Sequence, residues 1–470
     1  MKKKKIDSYS NDSLTDNALL YQPGHKLIRR HKTILETNTE IPTNFEFNDE
    51  FSQAFCLMEN SNKNLFVTGK AGTGKSTLLQ YFRKHTEKNI VVLAPTGVAA
   101  VKIRGQTIHS FFKFPPKAVQ KKHVRRLRNT AVMDNLDAIV IDEVSMLRAD
   151  ILDGIDHSLR INRDDHNAAF GGVQIIIFGD MFQLPPVVGR QERKVLEEQY
   201  QSPYFFSAHV WGQSKLLIYE LNKVYRQKDD AFINILNKVR MGECNERDLE
   251  KINQRVVKNI AHDEQGIITL TTTNSAAKDI NSDCLDKINS KEVSYQSFIK
   301  GDFDAKLYPT DVSLKLKAGA QVMLLKNDKE KRWVNGTLAE VSSLGPANIE
   351  VNINGKEYQV EKQRWEKIEY YFNKQENTID EKILGYFEQY PLMLAWAVTI
   401  HKSQGQNFED LIIDMGYGAF AHGQTYVALS RCTKLEGIRL VRPIAIRDII
   451  FDERIYEFMK NKEREAAYSD

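Results

Sequence analysis

Short apolar runs that stop abruptly at polar or glycine-bearing turns set the rhythm of the first half of the chain. Leu65-Phe66-Val67 runs into the glycine-rich stretch Gly69 to Thr77 and is followed at once by Leu78-Leu79-Gln80-Tyr81-Phe82. Ala138 to Ile141 ends in Asp142-Glu143, and Val173 to Phe178 ends in Gly179-Asp180. Brief apolar runs bounded by turn signals predict buried strands, and helix-like segments between them predict an α/β fold with a parallel sheet. Phe51, Phe55 and Met58 recur at helical spacing ahead of the first strand. Met146 to Leu159 and Phe232 to Val239 also read as helices, the latter stopped by Gly242.

Between about residues 291 and 390 the period changes to two. Ile349, Val351 and Ile353 alternate before Asn354-Gly355, with Tyr358 and Val360 beyond, which predicts a hairpin with a type I′ turn. Asn335-Gly336 marks a second turn. Lys362 to Gln389 mixes acids, bases and polar residues and yields no element. After Val441, Ile446 to Lys460 predicts a terminal helix with Ile449, Ile450 and Phe458 available for packing.

A chain of 470 residues is long enough for several cores, so two to four domains are expected. The net charge of +4 permits nucleic acid as a partner without arguing for it. Four cysteines, Cys56, Cys244, Cys284 and Cys432, stand far apart with no CxxC, which argues against a zinc or iron–sulfur site and suits a reducing cytosol. The opening MKKKK has no apolar region behind it, so no secretory signal is expected, and no apolar stretch is long enough to span a bilayer. Residues 1–44 read as a flexible polar tail. No repeat, low-complexity block or further domain after the terminal helix is expected.

The chemistry starts at GKAGTGKST. Gly69, Gly74, Lys75 and Ser76 fill the G-x-x-x-x-G-K-[ST] template between a strand and a helix. Such a turn aims backbone N–H groups at phosphates, and the helix N-terminus adds positive potential. Gly69, Ala71, Gly72, Thr73, Gly74, Lys75, Ser76 and Thr77 are therefore expected to cradle a nucleoside triphosphate. Lys75 would reach the β/γ-phosphates and the Ser76 hydroxyl would face Mg²⁺. At the end of the second apolar run Asp142 is placed to hold Mg²⁺, and Glu143 to orient and deprotonate a water. Gln183, in the loop GDMFQLPP after the third run, can bond a γ-phosphate or its water from a strand's carboxyl end.

These blocks, with APTGVAAVKIRGQTIHSFF (Ala94 to Phe112) and IDEVSMLRADILDGID (Ile141 to Asp156), resemble the Pif (petite-integration-frequency) family of superfamily-one helicases, related to RecD-type enzymes. LNKVYRQ (Leu221 to Gln227), TTTNSAAKDIN (Thr271 to Asn281), LAWAVTIHKSQGQNFEDLIID (Leu394 to Asp414) and GQTYVALSRC (Gly423 to Cys432) follow in the family's order. The resemblance spans about residues 45 to 445. It implies two RecA-like domains, residues 45–220 and residues 221–290 with 391–470, with ATP and Mg²⁺ between them. It also implies a basic wedge insert at 113–131 and a Src-homology-3-like β-barrel at 291–390. Single-stranded DNA would cross both lobes, and movement 5′ to 3′ rests on the family alone. A single strand, or a junction between single and double strand, is the expected partner. A monomer is expected without DNA, in the cytosol, or in the nucleus of a eukaryote.

Charge building on the γ-phosphate is stabilised by guanidinium groups, so Arg226 in VYRQ and Arg431 in ALSRC are expected to reach across the closing cleft. Thr96, Gly97, Thr107, His109, Thr399, His401, Lys402 and Ser403 fall on strand-to-helix loops and suit phosphate positioning on the strand. Phe111 is a candidate for base stacking, with Phe112 and Phe114 beside it. Lys113 to Arg128 is dense in cations without one acid, and suits a phosphate backbone at a duplex junction. Gln53, the glutamine nearest to where relatives often read adenine, lies off the apolar stripe of its helix. Two functions compete: an ATP-driven motor that unwinds DNA, and a nucleotide-gated single-strand clamp or protein-displacing translocase that does not.

Overall fold

In the computed structural model, which describes residues 47–225, 227 and 229–467 with side chains to 460, the apolar runs pair into one sheet. Its strands are β1 (Leu65–Gly69), β2 (Ile90–Ala94), β3 (Gln106–Thr107), β4 (Ala138–Ile141), β5 (Gln174–Phe178) and β6 (Leu217–Leu221). They lie parallel in the order β3-β2-β4-β5-β1-β6. β1, β2, β4 and β5 are buried at every position, which is why they read as unbroken apolar runs. The order sets β4, β5 and β1 side by side, so Asp142, Gly179 and the glycine loop emerge along one sheet edge.

The first helix, Asp49–Asn60, buries Phe51, Ala54 and Met58, and the Asn48 carboxamide caps it by accepting from Phe51 N at 2.9 Å. The segment expected to be helical from Met146 begins with a 3₁₀ turn, Val144–Met146, and the α-helix runs Ala149–Asn162. A second parallel sheet has the order Ala397–Thr399, Ile268–Thr271, Leu411–Asp414, Ile438–Leu440 and a separate core around Phe232, Leu270 and Val427. Asp230–Met241 packs there and ends on Gly242 at φ 71°, as expected from the glycine.

The alternating region forms a five-stranded antiparallel sheet, Lys356–Val360, Ile349–Ile353, Leu338–Leu344, Gln321–Leu324 and Leu392–Leu394. Its last strand carries the sheet just past residue 390. Asn354 (φ 52°) and Gly355 (φ 81°) both adopt the left-handed backbone that a type I′ turn needs. Asn335-Gly336 instead belongs to a longer loop between Leu324 and Leu338.

Lys362 to Gln389 holds a long hairpin, Gln363–Asn373 paired with Thr378–Gln389. It leaves the barrel and lies on the first lobe, where Ile368, Tyr370 and Ile379 join that lobe's core. The terminal helix starts at Glu453 rather than Ile446. Asp448 accepts from Ala445 N at 2.9 Å and pairs with Arg442 at 2.8 Å, which turns the chain before the helix can begin. Among the described residues no helix is long and apolar enough to cross a membrane.

Candidate nucleotide site and nucleic-acid interface

The glycine turn folds as a phosphate cradle because its backbone needs angles that few side chains tolerate. Gly72 and Gly74 hold φ 86° and 85°, and a Cβ at Gly74 would press on the Phe51 ring. Helix Lys75–His85 starts there, with Ser76 exposed in its first turn. Lys75 Nζ donates to the carbonyls of Gly69 at 2.6 Å and Lys70 at 2.9 Å, and Thr73 Oγ1 donates to Lys70 at 3.0 Å. The ammonium thus rests on the loop that it would leave for a phosphate.

Asp142 is buried at the end of β4. Burial pushes its carboxyl up to about 7, and the Glu143 carboxylate beside it adds to the rise. The Glu143 N–H, donated at 2.9 Å, and the ammonium groups of Lys102 and Lys75 act the other way. A buried acid so short of positive charge fits a divalent cation, and the exposed Ser76 hydroxyl supplies a second oxygen of the kind Mg²⁺ takes. Glu143 itself sits at φ 54°, a left-handed backbone that is costly for a non-glycine residue and frequent at functional sites.

Glu143 and Gln183 meet through a residue that the sequence did not single out. Gln404, from the loop after the second lobe's edge strand, donates its amide N–H to Gln183 Oε1 at 3.1 Å and to Glu143 Oε2 at 3.3 Å. Gln183 is buried and its own amide donates to Asp180 Oδ2 at 3.3 Å. Burial pushes the Asp180 carboxyl up, but Arg240 and Lys75 outweigh it and hold the group below the usual carboxylate range. Arg240, 3.1 Å from Asp180 and stacked on the Phe182 ring at 4.0 Å, comes from the second lobe. The only sequence signal for Gln404, Asp180 and Tyr426 is their position inside the motif blocks, and Arg240 lies outside them, just past the helix read over Phe232 to Val239.

Arg431 is buried, not solvent-facing. Its guanidinium donates to Val427 O at 3.0 Å, Ser430 Oγ at 2.9 Å, and the carbonyls of Ser403 and Gln406 at 3.4 Å, which frame the Gln404 loop. Arg226 lies outside the described residues. At the base end of the cradle, Tyr225 N donates to Gly72 O at 2.9 Å and its ring is half-exposed beside Phe51. Gln53 is exposed and accepts from Tyr219 at 3.0 Å.

The expected DNA track divides into three. Thr399, His401 and Lys402 line one groove of about 510 Å³ together with Thr272, Thr273, Asn274 and the exposed Phe420, which the sequence reading missed. Burial lowers the His401 imidazole below its ordinary value. Ser403 is buried and does not line the groove, and its hydroxyl donates to Ile400 O at 2.8 Å.

On the first lobe, Thr96 and Thr107 cap short helices, accepting from Ala99 N at 3.3 Å and Ser110 N at 3.2 Å. His109 is half-buried, with burial and Arg148 lowering its pKa. Gly97 is covered by the barrel's Ala305–Leu307 turn, and a Cβ there would collide with Leu307. Phe111 is a correction. It is buried edge-on to Phe112 and Tyr370 in the first lobe's core, because the long hairpin covers it, and it offers no face to a base.

The stretch expected as a basic wedge is an extended strip with one 3₁₀ turn, Lys121–His123. Asp150 accepts from Val119 N at 2.7 Å and Asn162 from Leu127 N at 2.7 Å, which pins the strip along helix Ala149–Asn162. Lys117, Lys121, Lys122, Arg125, Arg126 and Arg128 are left exposed, with Arg126 paired to Asp164.

The profile of the PIF1-like helicase family matches residues 47–250. The ATP-dependent DNA helicase Pif1 of Bdellovibrio bacteriovorus is 34% identical over 433 residues, 89% of this chain and 92% of that protein. Pif1 from Bacteroides in complex with ADP-AlF4 superposes with a TM-score of 0.83 at 36% identity, covering 90% of this chain and 98% of that one. The same Bacteroides protein bound to single-stranded DNA gives a TM-score of 0.65 over the same shares, also at 36% identity.

Proposed function

The chain belongs to the PIF1-like helicase family, and from that premise we propose that it couples ATP hydrolysis at the seam between its lobes to movement on single-stranded DNA and unwinding of duplex DNA. It is an ATP-dependent DNA helicase by its kinship with enzymes of that name. The motor lobes are taken as residues 45–220 and residues 221–290 with 391–470, the inserts as 113–131 and 291–390. One observation carries the placement of the chemistry: Gln404 of the second lobe bonds both Glu143 and Gln183 of the first.

In this reading Lys75 leaves the Gly69 and Lys70 carbonyls for the phosphates, while Ser76 and Asp142 hold Mg²⁺, which would shield the charge of the triphosphate. Glu143 takes a proton from the attacking water and Gln183 orients that water. Arg431, with Arg226, supplies positive charge to the departing phosphate, so cleavage requires the lobes to meet. A nucleotide-gated clamp would keep Lys75 but would not need the complete hydrolytic set of Glu143, Gln183, Arg226 and Arg431, which is why the motor reading is preferred.

The single strand is read as lying in the groove of Thr399, His401, Lys402 and Phe420 and passing over the Thr96–Gly97 and Thr107–His109 loops. Leu307 now lies against Gly97, so a strand reaching that loop would have to displace it. The basic strip would meet the junction, movement would be 5′ to 3′, and the protein would be a monomer without DNA.

Two measurements test the reading. Duplexes with a 5′ tail should be separated in ATP and Mg²⁺ and those with a 3′ tail should not; no displacement of either, despite DNA-stimulated hydrolysis, returns the clamp or translocase. Lys75→Ala should abolish hydrolysis and leave single-strand binding within about twofold, since phosphate positioning and strand binding use different residues. Turnover by that variant would refute the site.

A further inference from the structure

The buried hydroxyl of Tyr426 stands between the phosphate loop and the residues around the attacking water, and nothing in the hydrolytic scheme uses it. Tyr426 lies in helix Gln424–Leu429 of the second lobe. Its oxygen accepts from Ala71 N, in the phosphate loop of the first lobe, at 3.2 Å. Its hydrogen is donated to Asp180 Oδ2 at 3.4 Å. From Asp180 the chain of contacts continues through Gln183 and Gln404 to Glu143. From Ala71 to Glu143 it crosses the seam four times.

The direction of every bond in that chain is dictated. Asp180, ionised beside Arg240, only accepts, so Tyr426 must donate to it and has a lone pair left for the Ala71 N–H. The same carboxylate draws the NH₂ end of the Gln183 amide. That turns the Gln183 oxygen toward Gln404, whose NH₂ end is then presented to both Gln183 and Glu143. Reversing any one amide would set two acceptors or two donors face to face, which is costly where water is excluded. Glu143 therefore receives an N–H whose orientation is set, three links away, by the Asp180 carboxylate, to which the hydroxyl that also holds the phosphate loop donates.

We propose that Tyr426 is a positioning residue for ATP hydrolysis: by joining Ala71 to Asp180 it fixes where the carboxylate that orients the Gln183–Gln404–Glu143 chain stands, and ties the geometry of the water-activating carboxylate to the phosphate loop. The assignment rests on the seam reading above. A shift of the loop on nucleotide binding moves the Ala71 N–H, Tyr426 follows, and the second lobe is re-seated against Asp180. Arg240 serves the same end by fixing the carboxylate from its other oxygen at 3.1 Å.

Tyr426→Phe keeps the ring and deletes the hydroxyl. With saturating single-stranded DNA, kcat for ATP hydrolysis should fall about tenfold, the effect of losing roughly one hydrogen bond's worth of transition-state positioning, while KM for ATP changes less than about twofold. A kcat within about twofold of the parent, whether or not the melting temperature drops, marks a packing role and overturns the proposal. Gln404→Ala supplies the second arm. If Tyr426 acts through the chain, the double variant is no slower than the slower single one; multiplying losses would show independent roles and also overturn it. Lys75→Ala separates this from the parent reading. A dead Lys75→Ala beside an unimpaired Tyr426→Phe removes only the present inference, whereas turnover by Lys75→Ala removes the site itself.

Discussion

Single residues in this chain carry costs that the fold tolerates for local reasons, and Lys326 shows one that can be measured. Its ammonium donates to the Arg364 carbonyl and lies 5.0 Å from the centre of the Trp365 ring, where barrel and hairpin meet. Burial lowers its pKa to about 8, Glu366 opposes the shift and Arg104 reinforces it. An amine depressed from an unfolded value near 10.5 sheds its proton earlier in the folded chain. Stability therefore rises with pH between about 8 and 10.5, and below 8 the full cost of the buried charge is present. Lys326→Met should raise the melting temperature at pH 7 by a few degrees, equivalent to about 1 kcal/mol once solvent screening and the lost ring contact are allowed for. The gain should shrink as the scan moves above pH 8. An equal gain at every pH would mean that the methionine acts by packing alone.

At the scale of elements, the long hairpin is held by a pair of opposite charges with little access to water. Arg83 donates to Ile103 O at 2.5 Å and Arg104 O at 2.9 Å and pairs with Glu381, both side chains being under a tenth exposed. Removing one partner strands the other in a poor dielectric, a loss of about 3–5 kcal/mol in comparable cases, whereas replacing both with apolar groups is far milder. Glu381→Leu should therefore melt well below the parent. Arg83→Met with Glu381→Leu should recover part of the loss in a thermal double-mutant cycle; additive losses would deny the coupling.

The hairpin was also the element least legible in the sequence. Its strands set Ile368, Tyr370 and Ile379 into the first lobe's core, Tyr370 against Phe111, while Glu366 and Glu381 lie against Arg104 and Arg83 on that lobe. Charges that find partners on a distant element spoil the alternation that announced Ile349 to Val360. The phosphate loop and the Asp142–Glu143 strand end were legible because their geometry is local. Phe111 was misread because what covers it is the Tyr370 ring, 259 positions later (370 − 111). Gln404 and Tyr426 stayed unremarked for a related reason: each works through atoms of the opposite lobe, and spacing along one chain says nothing about a seam.

Across the whole molecule, that same hairpin and the Ala305–Leu307 turn tie the barrel, which grows out of the second lobe, onto the first. Leu307 sits over Gly97 beside Val101, on the loop read as track for the single strand. A strand lying on that loop and the Leu307 side chain compete for one surface. Any free energy that seats the turn is then subtracted from DNA binding, because only the fraction of molecules with the turn lifted is competent. Leu307→Ala weakens the seat without touching the Lys402 groove or the phosphate loop. It should tighten single-strand binding by about threefold to tenfold, the population shift expected from about 1 kcal/mol of lost apolar contact, at fixed salt. Hydrolysis measured without DNA should be unchanged, since Leu307 packs over Gly97 and with Val101, away from the hydrogen-bonded chain that joins the lobes. Equal or weaker DNA binding by the variant would mean that the strand avoids Gly97, or that the turn is part of the track rather than its cover.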